Sequence, residues 1–251
     1  MKKYIPLLVA ALFVSGAAQA ALFDRGGGLI YDDVLNVTWL QDANYAKTTG
    51  HSADGYMSWN NATNWAENLS YYDGVRNITY DDWRLPMAGP VNGISTNYNQ
   101  SYNGSTDRAY NISAPGTIYA GSTGSEMAHL FYISLGNTGY CDSVLSTDSS
   151  CARTYASWDS INAGPFSNLQ TQDYWSGTQY FNCTSGCYDK AWYFHFGEGF
   201  QESTSKVNSG YAFVVRDGDV AAVPEPETYA MLLVGLGLVG AMARRWKLAK
   251  V

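Results

Sequence analysis

The chain has 251 residues, 15 Lys and Arg against 22 Asp and Glu, and an aromatic content of 15%. Setting aside the six basic and two acidic residues of the two ends leaves nine basic and twenty acidic residues between them, a net charge of −11. So acidic a surface argues against nucleic acid and anionic lipid as partners, and admits a polyanionic polysaccharide only through a bridging divalent cation.

The chain opens with Lys2 and Lys3, an apolar stretch from Tyr4 to Val14, and Ala18-Gln19-Ala20, the small-x-small site that a signal peptidase cuts. Residues 1–20 therefore read as a secretory signal peptide, with Ala21 as the mature start. Residues 21–222 then form one domain, long enough to bury a substantial core and without a linker-like stretch. Gly28-Leu29-Ile30-Tyr31-Asp32 and Val37-Thr38-Trp39-Leu40-Gln41 predict a hairpin around a tight turn. Ser58 is placed to cap a helix carrying Ala62, Trp65, Ala66 and Leu69 on one side. Trp83-Arg84-Leu85-Pro86 reads as a short buried segment. Residues 87–122, rich in Asn, Ser, Gly and Tyr, read as an ordered surface insertion. A second helix is bounded by Ser125 as N-cap and Gly136 as stop, with Met127, Leu130, Phe131 and Leu135 on its apolar side. Strands follow at Tyr174-Trp175-Ser176-Gly177-Thr178, at residues 191–196, and at residues 211–216, with Gly197-Glu198-Gly199 as a turn. The expected fold is α+β, two helices with antiparallel strands. No internal repeat is apparent.

The four cysteines fall into local pairs, Cys141 with Cys151 and Cys183 with Cys187. In an oxidising compartment such spacing reads as two disulfides, and without a nearby His it is a poor zinc pattern. No nucleophile elbow, zinc-protease helix or phosphate loop is present, and no cofactor is called for. A carboxylate pair for glycoside cleavage could be drawn from Asp81, Asp82, Glu126, Glu198 or Glu202, but so many acidic residues make any pair uninformative. His129 and His195 read as structural, with His51 in a loop. Asp32-Asp33, Asp81-Asp82 and Asp217-Gly218-Asp219 are oxygen-rich enough for calcium yet fit turns better, so no metal site is assigned. Tyr98, Tyr102, Tyr110 and Tyr119 could stack on sugar rings if exposed. Asn-x-Ser/Thr triplets, such as Asn36-Val37-Thr38 and Asn77-Ile78-Thr79, are read as composition.

The tail is the most specific signal. Val223-Pro224-Glu225-Pro226-Glu227 cannot continue a helix and starts as an extended strip. Residues 229–243 are an apolar run of 15 residues. As a helix this run spans about 22 Å, short against a hydrocarbon core of about 30 Å. Arg244, Arg245, Lys247 and Lys250 follow and hold that end in the cytoplasm. In order and position these parts resemble the PEP-CTERM sorting signal, 223–251. The resemblance implies an exosortase as partner and a membrane-anchored precursor that ends at the cell surface or in the extracellular polysaccharide matrix.

A second resemblance spans residues 26–219. Gly28-Leu29 through Thr38-Trp39-Leu40, Trp83-Arg84-Leu85-Pro86, Glu126-Met127, residues 174–178, Ala191-Trp192-x-Phe194-x-Phe196 and Val215-Arg216 stand in the order of the family named after the C-terminal domain of the Legionella collagen-like adhesin. That resemblance implies a compact, C-type-lectin-like domain on surface and adhesive proteins. The chain lacks the adhesin's collagen-like stalk and basic surface, so neither ligand nor oligomer carries over. The expectation is a non-enzymatic surface or matrix protein that binds carbohydrate or contributes to adhesion. A secreted carbohydrate-active enzyme and a calcium-dependent protein-binding adhesin stand as alternatives.

Overall fold

A computed structural model describes residues 21–154, 161–181 and 189–220. The expected signal peptide, Cys183 and Cys187, and the whole sorting tail with its apolar run lie outside the described residues. In chain order the described residues form strands β1 (Leu22–Asp24), β2 (Leu29–Asp32) and β3 (Val37–Leu40), helix α1 (Tyr45–Thr48), β4 (Met57–Ser58), helix α2 (Trp59–Glu67), β5 (Tyr71–Asp73) and β6 (Ile78–Tyr80). Then come β7 (Gln100–Ser101), β8 (Arg108–Tyr110), helix α3 (Glu126–His129), β9 (Asp173–Gln179), β10 (Lys190–His195), β11 (Phe200–Ser205), β12 (Ser209–Gly210) and β13 (Val215–Asp217). The fold is α+β and mostly sheet.

One sheet has the order β1-β2-β3-β13, the other β7-β8-β11-β10-β9; β4 with β12 and β5 with β6 are two-stranded ribbons. All pairs are antiparallel except β7 with β8. Period-two alternation splits β2 and β3 between two cores. Ile30 and Trp39 pack with Phe131, Phe194 and Phe213, whereas Leu29 and Leu40 pack with Trp65, Trp83 and Trp175. Both faces of β3 are therefore covered, which is why its four residues are all buried.

The predicted hairpin is β2–β3, and its turn occurs twice. Tyr31-Asp32-x-Val34-x-Asn36-Val37-Thr38-Trp39 is matched by Tyr72-Asp73-x-Val75-x-Asn77-Ile78-Thr79-Tyr80 in β5–β6. In both, the Asp pairs with the residue five positions on, so the registers are identical. In both, the Asp Oδ1 accepts the next two turn amides, from Val34 and Leu35 or from Val75 and Arg76. The Tyr hydroxyl donates to Asn Oδ1 at 3.0 and 2.8 Å, and the Asn closes the turn at φ +52° and +55°. The expectation of no repeat misses this local duplication because so little sequence is shared. It also explains why both hairpins carry an Asn-x-Thr triplet: Asn takes the left-handed position and the β-branched residues begin the strand.

The second hairpin docks on the turn between β1 and β2. A Cβ on Gly27 would lie 2.3 Å from Asp73 Oδ1, so only glycine fits there, and Tyr71 donates to the Gly27 carbonyl at 2.7 Å.

Several segments depart from expectation, among them the strand expected at residues 211–216, which forms only as Val215–Asp217. The second helix is capped by Ser125, which accepts the Ala128 amide, but after α3 it widens into a π-helical turn over Leu130–Ser134. Leu135 donates to the Leu130 carbonyl at 2.8 Å, and Gly136 at φ +64° ends the helix as predicted. The 87–122 insertion is not only surface: it supplies β7 and β8 and buries Ala109, Ile112 and Ala114. Strand β11 follows the predicted turn, but its polar Gln201, Glu202, Ser203 and Thr204 hide it from hydrophobic patterning. Ser58 precedes α2, though its hydroxyl makes no capping bond.

Candidate functional site

The insertion is ordered by asparagine turns and one buried carboxylate. Asn92 Oδ1 accepts the amides of Ile94 and Ser95, Asn103 that of Ser105, and Asn97 that of Asn99. Asp107, 2% exposed, accepts the Val91 and Asn97 amides, both at 2.6 Å, and so ties both limbs of the loop to β8. Burial pushes its carboxyl above the usual range, against the pull of those two amides.

With its root fixed, the insertion presents Tyr102 and Tyr110 side by side. Their rings are parallel within 12° at 6.0 Å, and Tyr110 stacks in turn on Phe200 of β11 at 4.3 Å. Tyr140 lies 6.3 Å from Tyr110, and the Arg153 guanidinium sits 5.3 Å over the Tyr140 ring. The Cys141–Cys151 disulfide joins Tyr140's neighbour to the segment carrying Arg153. Together with Gln100, Ser150 and Cys151, these side chains line an open groove of about 370 Å³. The Tyr110 hydroxyl donates to Glu198 Oε2 at 3.1 Å, and burial, then the Glu198 charge, raises the phenol above its ordinary range. Flat aromatic faces with an amide, a hydroxyl and a guanidinium at the rim suit the alternating apolar and hydroxyl surface of a sugar ring.

The predicted sugar-stacking tyrosines divide. Tyr102 and Tyr110 enter the groove. Tyr98 instead stacks on Trp192 and meets Tyr180 edge-on, and Tyr119 packs against the core. Sequence reading missed Tyr140, Phe200, Gln100 and Arg153; the adjacency of Tyr140 and Arg153 to the paired cysteines was the available signal.

The candidate acids are drawn into structure. Arg84 grips Glu126 through two bonds of 2.8 Å and Asp217 at 2.6 Å, and Glu126 also accepts the Met87 amide. Burial alone would lower the Arg84 pKa, but these carboxylates raise it overall. Arg216 pairs with Asp82, Arg25 with Asp219, and Arg108 with Glu202; Asp81 is exposed. Asp32 holds its turn and accepts Ser134 Oγ, and Asp33 accepts the Ala21 amide. Among the described residues no group of three or more His, Cys, Asp and Glu is arranged to hold a metal ion. His129 is buried with Nδ1 3.2 Å from the Ser122 carbonyl, His195 Nδ1 accepts the Glu198 amide, and His51 packs near Trp65.

The tail's tripartite order is decided by comparison with known families. Residues 222–245 match the PEP-CTERM protein-sorting motif. The motif covers Val223, Pro224, Glu225, Pro226, Arg244 and Arg245, and it implies an exported protein, membrane-anchored before an exosortase processes it. Among the described residues no helix is long and apolar enough to cross a membrane. No curated protein and no solved structure matches the chain. The resemblance of residues 26–219 to the collagen-like-adhesin domain finds no support in these comparisons.

Proposed function

We propose that this PEP-CTERM protein is a non-catalytic saccharide-binding module that exosortase sorting delivers to the cell surface or the extracellular polysaccharide matrix. The single observation that carries the binding half is the groove of Tyr102, Tyr110 and Tyr140 with Gln100, Ser150 and Arg153 at its rim. Its aromatic platform is rigid, since Tyr110 is stacked on Phe200, lies parallel beside Tyr102 at 6.0 Å and is hydrogen-bonded to Glu198, so little side-chain freedom is lost on binding. The lectin-like fold inferred from sequence belongs to the same proposal, supported by two sheets, few short helices and a long asparagine-rich loop that forms the site.

The test is a pull-down of the full chain, in detergent, with the extracellular polysaccharide of an exosortase-bearing host, in calcium and in chelator. Binding under both conditions that is lost in Tyr110→Ala, with the melting temperature little changed, is the expected outcome. Binding that survives Tyr110→Ala and Tyr102→Ala places the site elsewhere. Replacement of Pro224, Glu225 and Pro226 is expected to leave a longer, inner-membrane-retained species; unchanged mass and location would sink the sorting half.

A further inference from the structure

The groove lies at one edge of a sheet face that runs on beyond it. Strand register places Tyr110 opposite Phe200, Phe200 opposite His195, and His195 opposite Asp173. Opposed residues share one face of a sheet, so these four form a row across β8, β11, β10 and β9. One step along the strands, Glu202 lies opposite Tyr193 and Tyr193 opposite Trp175, while Arg108 reaches Glu202 as an ion pair. The far end of the row opens into a second depression of about 140 Å³, lined by Asp173, Tyr193, Thr204, Asn208 and Ser209 among others. There the Asp173 Oδ1 is buried and unpartnered within the described residues.

We propose that the groove and this depression are two ends of one binding track, which takes an internal segment of a linear, uncharged glycan. The inference rests on the saccharide reading of the groove. Length supports it: three strand spacings give about 14 Å between the ends of the row, room for about three hexose rings laid end to end. Chemistry supports it too. The near end offers aromatic faces for the apolar side of a ring, and the far end offers hydroxyl, amide and carboxylate groups for its hydroxyls. Charge selects against polyanions. Asp173, Glu198 and Glu202 face or flank the row, Arg108 is already committed to Glu202, and among the described residues Arg153 is the cation at the near rim. With Arg108 and Glu202 cancelling, an acidic chain would meet one cation and then two uncompensated carboxylates, Asp173 and Glu198.

The experiment is calorimetric titration of the full chain in detergent with a panel of linear neutral glucan and mannan oligomers and with uronate oligomers of the same lengths. Affinity for a neutral series is expected to rise about tenfold or more from one unit to about four, which is about 1.4 kcal/mol, and then level off. Asp173→Asn and Tyr193→Phe, which keep side-chain volume, are expected to remove most of that gain while leaving the weak binding of the single sugar unchanged. Tyr110→Ala removes both. A single unit that binds as tightly as the longest oligomer overturns the track and leaves the groove reading standing. Uronate oligomers that bind more tightly than neutral ones overturn the charge selection. No binding of any neutral oligomer overturns the track and the saccharide reading together.

Discussion

Hairpins β2–β3 and β5–β6 share a turn, a register and a set of side-chain bonds, yet they live in different surroundings. In the first, Val37, Thr38 and Trp39 are 2%, 0% and 0% exposed because β13 and two aromatic cores cover them. In the second, Ile78 is 46% exposed and Tyr72 61%, and among the described residues the ribbon has no further strand. Of the matched positions only Asp32 and Asp73 are buried in both hairpins, each at 0%. The turn is thus specified by its own residues, whereas strand burial is decided by what packs on top.

Substitutions at matched positions can break that separation. The largest difference is expected at the aromatic that ends each pattern. Trp39→Ala should cost about 4 kcal/mol, as a large core side chain does. Tyr80→Ala, which loses a half-buried ring under the Arg216 guanidinium, should cost about 1 kcal/mol. Urea midpoints measure both, and equal losses would mean that the second hairpin is as central as the first. Next, Asp32→Ala should cost about 2 kcal/mol, because it strands turn amides that a charged acceptor had satisfied, and Asp73→Ala about 3 kcal/mol, because it also leaves the buried Arg76 without its carboxylate. A harmless Asp73→Ala would show that docking on Gly27, not the turn, holds the outer hairpin. The smallest effects are expected at Asn36 and Asn77. Alanine at either should cost about 1 kcal/mol for the left-handed backbone, and glycine close to nothing. A glycine variant as damaging as alanine would move the importance from backbone freedom to the tyrosine–asparagine bond.

Legibility in the sequence follows the same division. The β2–β3 hairpin, β9, β10, the Ser125 cap and the Gly136 stop were readable because local chemistry sets them. The Cys141–Cys151 pairing was readable from spacing and compartment. The parallel pairing of β7 with β8, the polar strand β11 and the π-helical turn were not: β7 is two residues long, β11 is mostly polar, and a widened turn leaves the apolar spacing of a helix almost unchanged. The site shows a different limit. Tyr102 and Tyr110 were legible as candidate stacking aromatics, and both are half-buried, but Phe200, Tyr140 and Arg153 join them only through the sheet and the disulfide. The sorting tail is the opposite case: a linear address needs no fold to be read.

The ion pairs carry a consequence for how many copies can share a small volume. Arg25, Arg76, Arg84, Arg108 and Arg216 each sit against a carboxylate, so much of the positive charge between the two ends is already spoken for at close range. What projects outward is mainly the excess of acid. Neighbouring copies therefore repel over the Debye length, about 10 Å at 0.1 M salt and about 3 Å at 1 M. Ionic strength, rather than any contact patch, would then set the spacing at which these molecules crowd together.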